Sequence, residues 1–356
     1  MPNSRNLRLK KWICFITMSL LMVFSLYAQK TASIPLYIDS NYHGSCDPEI
    51  IWNENDQCWY IYYTSRRSHL ENNFLKTPIG VIKSKDLISW SFEGYCQFDG
   101  VGGDKDASET FWAPAIISFK DTMHMFVTWK PDTVTTLGAW GGPGKIVHYK
   151  TSLNDPVHGW EKVTDMHSND FDALDATVYL KGQTFHVWYK AKKIGSKKNE
   201  LYHKISQDLF TWEDKGFSES DVFNKEVTGF SFEEAPYMFK WKESYWLITD
   251  PHDGLIVYKS NDAEDWDFQK VILKEGSKRE MDNSMARHAS VAVIKDRAFI
   301  FYHVEPWRNY EKGNPIYKQP LKNRRSVLQM AELEIIDGEL ICNRNKAVEI
   351  PVLIQP

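Results

Sequence analysis

Cysteine is scarce in this chain, at five residues in 356. Cys14, Cys46, Cys58, Cys96 and Cys342 show none of the paired spacings of a metal-binding motif, which excludes a cysteine-ligated metal site. Basic stripes are missing as well. The formal net charge is −4 and no Lys/Arg run interleaved with aromatics dominates, so nucleic acid is not an expected partner. Nothing in the sequence asks for a redox cofactor. The one long apolar run, Ile13 to Tyr27, is short for a membrane span.

That run has a different use. Arg5, Arg8, Lys10 and Lys11 precede it, and Ser25-Leu26-Tyr27-Ala28 places a small residue before Gln29. The pattern predicts a secretory signal over residues 1–28, an exported (periplasmic or extracellular) protein, and no membrane span after cleavage. An uncleaved anchor is the alternative. Cys14 lacks the small preceding residue that a lipid-attachment site would want. Cleavage removes four basic residues and no acidic one, so the net charge of −4 becomes −8. An exported protein has the chance to pair its four remaining cysteines, but their connectivity is not legible.

What the sequence has in abundance is a repeat. Ser84-Lys85-Asp86-Leu87-Ile88-Ser89-Trp90, Ser152-Leu153-Asn154-Asp155-Pro156 running on to Trp160, Ser206-Gln207-Asp208-Leu209-Phe210-Thr211-Trp212 and Ser260-Asn261-Asp262-Ala263-Glu264-Asp265-Trp266 are one pattern. Each follows an alternating β-type run such as Leu255-Ile256-Val257-Tyr258-Lys259. Laid side by side, the units run from Asp47 to about Phe92, Phe111 to Val163, Leu174 to Asp214, Glu234 to Phe268 and His288 to about Ile341. Each opens on a short apolar strand, a polar turn and an aromatic-rich returning strand, the signature of a hairpin. Five hairpins, each followed by two further strands, predict an all-β fold: a five-bladed β-propeller of four-stranded blades over residues 29–356. An aromatic content of 14% suits stacked sheets. Trp90, Trp160, Trp212 and Trp266 read as packing between blades.

A propeller brings the first strand of every blade to one axis. The strand heads are Cys46-Asp47-Pro48, Trp112-Ala113-Pro114, Leu174-Asp175-Ala176, Glu234-Ala235-Pro236 and His288-Ala289-Ser290. Three of the five carry an acid. A buried carboxylate is costly unless solvated or paired, so converging acids imply a polar pocket on the axis. Carboxylates held in different protonation states are the chemistry of glycosidic bond cleavage. The longer connections, Ser65 to Thr77, Lys130 to Gly144, Lys190 to Asn199 and Glu305 to Arg324, fall on the same face as those heads, where binding usually resides. Nearby acids compete for the roles. Asp170 and Asp172 neighbour Asp175, Glu109 precedes the second unit, and Glu233 adjoins Glu234, although strand alternation sends only one of that pair inward.

These residues, in this order, resemble glycoside hydrolase family 43, secreted five-bladed propellers that release arabinosyl, xylosyl or galactosyl units with inversion. The resemblance implies that Asp47 is the general base, Glu234 the general acid, and Asp175 the residue that tunes it. Trp112-Ala113-Pro114 and His288-Ala289-Ser290 resemble the openings of blades two and five. Ala235 replaces the usual Gly, Ala176-Thr177 a Pro-Ser pair, and Ala115 an Asp that often follows Trp-Ala-Pro. The Arg-Asp-Pro motif of the sister fructosidases is absent. Trp112, Trp140, Arg66, Arg67, Arg287, His288 and His303 are the candidates for sugar contact. The family requires no cofactor, although some members hold a calcium ion on the axis. The expected partner is a plant or algal polysaccharide or its oligosaccharides; a carbohydrate-binding propeller without turnover is the alternative. Cations gathered on the active-face loops (Arg66, Arg67, His69, Lys190, Lys192, Lys193, Arg308 and Lys312) raise the expectation of uronate or sulfate on the glycan, with Trp140 or Trp307 stacking on a sugar face.

Overall fold

The turn between the third and fourth strands of each unit explains why the repeat is so legible. In the computed structural model, which describes residues 30–103, 109–350 and 356, Asp86 Oδ1 accepts the N–H groups of Ile88 and Ser89. Asp208 does the same for Phe210 and Thr211, and Asp262 for Glu264 and Asp265. Each Ser hydroxyl accepts the aspartate's own N–H, so the side chains satisfy a tight turn that has no ladder partners. The signal segment expected over residues 1–28 lies outside the described residues.

After a short strand β1 (Lys30–Thr31), the first blade is β2 (Ser45–Asn53), β3 (Cys58–Ser65), β4 (Ile79–Ser84) and β5 (Ser91–Tyr95). A minor hairpin, β6 (Gln97–Phe98) and β7 (Val101–Gly102), leads to the second: β8 (Thr110–Phe119), β9 (Thr122–Lys130), β10 (Lys145–Ser152) and β11 (Glu161–Asp165). The third is β12 (Phe171–Lys181), β13 (Thr184–Lys193), β14 (Glu200–Ser206) and β15 (Glu213–Phe217). The fourth is β16 (Glu234–Trp241), β17 (Ser244–Asp250), β18 (Leu255–Ser260) and β19 (Asp267–Ile272). The fifth is β20 (Arg287–Ile294), β21 (Arg297–Val304), β22 (Val327–Ile336) and β23 (Glu339–Cys342). Every blade is an antiparallel meander in sequence order, and the inner strands β2, β8, β12, β16 and β20 touch in a closed ring. The expected five-bladed propeller is the fold.

The ring is tied at its ends. β1 pairs with β24 (Glu349–Ile350), and Leu36 and Tyr37 bond to Leu328 of the fifth blade. The core is divided among five blade interfaces, four of which carry a tryptophan of the repeat. Trp160 meets Tyr62 edge-on at 5.9 Å, Trp212 meets Phe126 at 5.5 Å and Trp90 meets Phe301 at 6.5 Å, while Trp266 is buried in a cluster with Trp188. Each reaches the second strand of the preceding blade, and losing one such side chain costs about 3–5 kcal/mol. All four described cysteines, Cys46, Cys58, Cys96 and Cys342, are unpaired thiols. Among the described residues no helix is long and apolar enough to cross a membrane.

Two histidine pairs occupy equivalent places in blades two and three. His124 meets His148 at 2.9 Å and His186 meets His203 at 3.0 Å. Burial pushes His124 and His186 down to about 4, and His148 and His203 down to about 3. The unfolded chain, with ordinary histidines near ~6.5, binds these protons first. Stability is therefore complete above about pH 6.5 and is lost as the pH falls toward 4. Urea unfolding between pH 7 and pH 4 should show this loss, and His148→Phe should flatten it; an unchanged slope in that variant would remove the pair as its cause.

Candidate active site

The ladder of every inner strand slips at its head. The irregularities lie between Cys46 and Glu49, Trp112 and Ala115, Leu174 and Ala176, Glu234 and Tyr237, and Arg287 and Ala289. At each one a non-glycine residue is left-handed: Asp47 (φ 50°), Ala113 (44°), Asp175 (54°), Ala235 (55°) and His288 (32°). Such a conformation costs about 1–3 kcal/mol and persists only when its surroundings hold it. Here the neighbouring blade does so. The N–H of Ala113 donates to Thr64 Oγ1 (2.8 Å), that of Asp175 to Thr128 Oγ1 (2.9 Å), that of Ala235 to Asp175 Oδ2 (3.2 Å), that of His288 to Asp250 Oδ2 (3.1 Å), and that of Asp47 to His303 Nδ1 (3.2 Å).

These bulges refine the expected register. Blade five opens on Arg287-His288-Ala289, one residue earlier than His288-Ala289-Ser290, because the left-handed position is His288 itself. Asp47 and Asp175 occupy the bulge, whereas Glu234 stands one residue before it. Glu233 points elsewhere: it is buried and accepts the hydroxyls of Thr228 (3.2 Å), Thr249 (2.7 Å) and Tyr258 (2.6 Å).

One cavity on the axis, about 60 Å³, is walled by Asp47, Asp175, Glu234, His288, Arg66, Thr64, Phe74, Leu174, Trp112 and Trp140. Phe74 and Trp140 stack across its mouth at 4.1 Å. On the Glu234 side it widens into a cleft of about 720 Å³ that shares Trp112, Trp140, Leu174 and Glu234 and adds Lys130, Asp172, Lys190, Phe232 and His252. The structure thus brings together six of the expected residues in addition to Asp175. Arg287 and His303 lie beneath the cavity wall, Arg287 gripping Asp250 (2.7 Å) and His303 holding the Asp47 backbone. Arg67 lies over Tyr42, and Trp307 packs into the apolar layer between blades four and five. Glu109 accepts the Trp129 indole N–H at 3.0 Å.

Charge divides the site in two. Asp47 Oδ1 lies 3.5 Å from His288 Nδ1, 3.6 Å from His303 Nδ1 and 3.9 Å from Arg66. Arg66 is held 3.0 Å from Glu305, which burial alone would push up but which Arg308, Arg66 and Arg287 hold at about 2. Arg66 is therefore already neutralised by acids of this chain. On the other side, burial and the nearby Glu234 charge push Asp175 up to about 7. Burial would raise Glu234 too, but His252 (2.6 Å) and Lys190 (3.3 Å) hold it well below the usual carboxylate range. Of this pair, Asp175 is the carboxyl with the raised proton affinity and Glu234 the one with the lowered. His252, on the short connection after β17, carries no motif; its proximity to Glu234 is visible only in three dimensions.

Glu234, Asp250 and His252 carry ligand atoms within 4.8 Å of one another, the one such group among the described residues. Arg287 and Lys190 already engage its carboxylates and compete with a cation there. On the axis below the pocket, Glu49 is buried alone, accepting the Ile116 N–H at 3.0 Å, and burial pushes it up to about 8.

The family model of glycosyl hydrolases family 43 matches residues 42–253, more than half of the chain. The chain belongs to glycosyl hydrolase family 43. It is a glycosidase by family. Among solved structures, a thermostable family-43 glycoside hydrolase superposes with a TM-score of 0.61 at 19% identity, over 84% of this chain and 92% of that one. An α-L-arabinofuranosidase from Lactobacillus brevis gives 0.57 at 18%, over 85% and 94%. A GH43_1 enzyme from Xanthomonas citri complexed with xylotriose gives 0.60 at 12%, over 88% and 93%. At these identities the likeness shows the fold. The comparison with curated protein sequences gives no match.

The His252 contact has a measurable consequence. Removing the hydrogen-bond partner beside Glu234 raises its affinity for a proton, and removing the Asp175 charge lowers it. His252→Ala should therefore move the basic limb of the kcat/KM profile to higher pH, and Asp175→Asn should move it lower. Shifts of the same sign in both variants would disprove this charge arrangement.

Proposed function

We propose that the protein is an exported, inverting exo-glycosidase that removes a terminal arabinosyl, xylosyl or galactosyl unit from a plant or algal polysaccharide or its oligosaccharides. The observation that carries this reading is the separation of Asp47 from Glu234 into two charge environments on one small cavity. Asp47, among His288, His303 and Arg66, acts as the general base toward a water on one face of the sugar. Glu234, on the side that opens into the wide cleft, donates a proton to the departing oxygen. Asp175, with its raised proton affinity, stands beside Glu234 as the neighbouring source of that proton. A leaving group that inserts between Glu234 and His252 weakens their contact and draws the proton toward Glu234. The cavity is far smaller than the cleft, about 60 against about 720 Å³, which favours release of single terminal residues over cleavage within a chain. No step requires a cofactor.

Asp47→Asn should lower kcat by roughly 10²–10⁴-fold with little change in KM. A rate within about tenfold of the parent, ~1.4 kcal/mol of barrier, would take Asp47 out of the mechanism and favour a binding propeller. The proton inventory of Glu234 is checked by leaving groups. Glu234→Gln should be severely impaired on natural oligosaccharides and nearly spared on nitrophenyl glycosides, whose leaving group needs no proton. Glu233→Gln, which disturbs only a buried hydroxyl cluster, should lower stability without any leaving-group dependence.

A further inference from the structure

The wall of the leaving-group cleft holds a buried lysine, Lys130, whose ion pair is a long one. Lys130 ends β9 and Lys190 lies near the end of β13, so two lysines line the cleft from adjacent blades, with Lys192 further along β13. Asp172 and Glu234 line the same cleft, and Asp175 adds its field to Lys130. Lys190 pairs with Glu234 at 3.3 Å, and Lys192 with Asp172 at 3.5 Å. Asp172 also accepts the Gly144 N–H at 2.8 Å. Lys130 is left with that same Asp172 at 3.9 Å, its one ion pair among the described residues.

Lys130 is also the most buried of the three, with 3% of its side chain exposed against 8% for Lys190 and 34% for Lys192. A buried ammonium ordinarily has a close, hydrogen-bonded counter-ion. Here its Nζ stands 5.0 Å over the Trp112 ring, which offers a quadrupole but no lone pair. Burial pulls its proton affinity down to about 8, as expected for a charge with too little compensation. Trp112 and Lys130 both line the cleft, so the group that lacks a close partner borders the space a ligand would fill. The cations first suspected are differently placed: Arg66 is paired with Glu305, and Arg67 lies over Tyr42 outside both cavities.

We propose that the leaving-group cleft binds a sugar bearing an anionic substituent, a carboxylate or a sulfate ester, with Lys130 as its principal counter-ion and Lys190 and Lys192 beside it. The inference rests on the glycosidase reading, because it assigns the cleft to the departing sugar. It makes the unit on the leaving side the determinant of specificity, while the cleaved unit in the small cavity remains neutral. A salt bridge supplied by the substrate gives Lys130 the close counter-ion that Asp172, at 3.9 Å, does not, and places the glycosidic oxygen at Glu234.

The test uses the full mature chain. A panel of nitrophenyl arabinofuranosides, xylosides and galactosides first identifies the unit removed. That unit is then offered linked to glucuronic acid or to glucose, and linked to sulfated or unsulfated galactose. The expected result is a preference of about tenfold or more in kcat/KM for one charged member of these pairs, carried mainly by KM and shrinking with added salt. Whichever pair shows it distinguishes carboxylate from sulfate. Lys130→Met should collapse that ratio toward one and Lys130→Arg should restore part of it. Equal or better turnover of the neutral member in both pairs, by a protein that does cleave a nitrophenyl glycoside, overturns the proposal and leaves the glycosidase reading intact. Absence of turnover on the whole panel instead overturns the glycosidase reading. Calorimetric binding of the same four oligosaccharides then decides the charge question alone, and equal affinity within each pair refutes it.

Discussion

Everything functional in this molecule hangs on the left-handed residue at the head of each inner strand. A regular strand would alternate its side chains between the two faces of a blade and send none along the axis. The bulge breaks that alternation once per blade and turns Asp47, Asp175 and His288 toward a common cavity. Each bulge leaves an N–H without a ladder partner, and that N–H is bonded by a side chain, in four of the five cases from the second strand of the blade before it. The fifth, at Ala235, is bonded by Asp175 of the inner strand next door. The strain of the site and the closure of the ring are thus the same set of hydrogen bonds.

On this frame the chemistry is a problem of distributing charge. Four carboxylates, Asp47, Asp175, Glu234 and Glu305, share a small volume with Arg66, Arg287, Lys190, His252 and His288. Arg287, beneath the cavity, grips Asp250 at 2.7 Å and, with Arg66 and Arg308, holds Glu305 at about 2, so both acids serve as counter-ions. Asp175 has no arginine and is the acid that burial and a like charge can keep protonated. The division between structural and reactive carboxylates follows depth: Glu305 and Asp250 are sealed under the cavity, whereas Asp47, Asp175 and Glu234 line it.

Several features of both fold and site were readable from the chain. The Ser-x-Asp turns and the tryptophans that follow them are local chemistry: a side chain caps a turn two or three residues away, so the motif must recur wherever the turn does. The same holds for Asp47-Pro48 and Glu234-Ala235-Pro236, where the residue after the bulge tolerates proline because its N–H has no ladder partner to lose. Strand alternation said that only one of Glu233 and Glu234 points inward, and alignment with the other blade heads chose Glu234. Blade five was read one residue late because its bulge, at His288, is not followed by proline, and nothing local marks the slip.

What only the tertiary structure decided is which charges meet. Arg66 and Glu305 are 239 residues apart, and Lys190 and Glu234 are 44 apart. His252 reaches Glu234 across a bent strand pair, and Lys130 finds only a distant partner in the next blade. From the sequence, Arg66 looked like a hand extended to substrate and Lys130 like the end of a strand. Turn and strand chemistry leave a signature because the interacting atoms are neighbours in the chain. An ion pair across the axis leaves none, since its energy depends on burial and distance that exist only after five blades have closed.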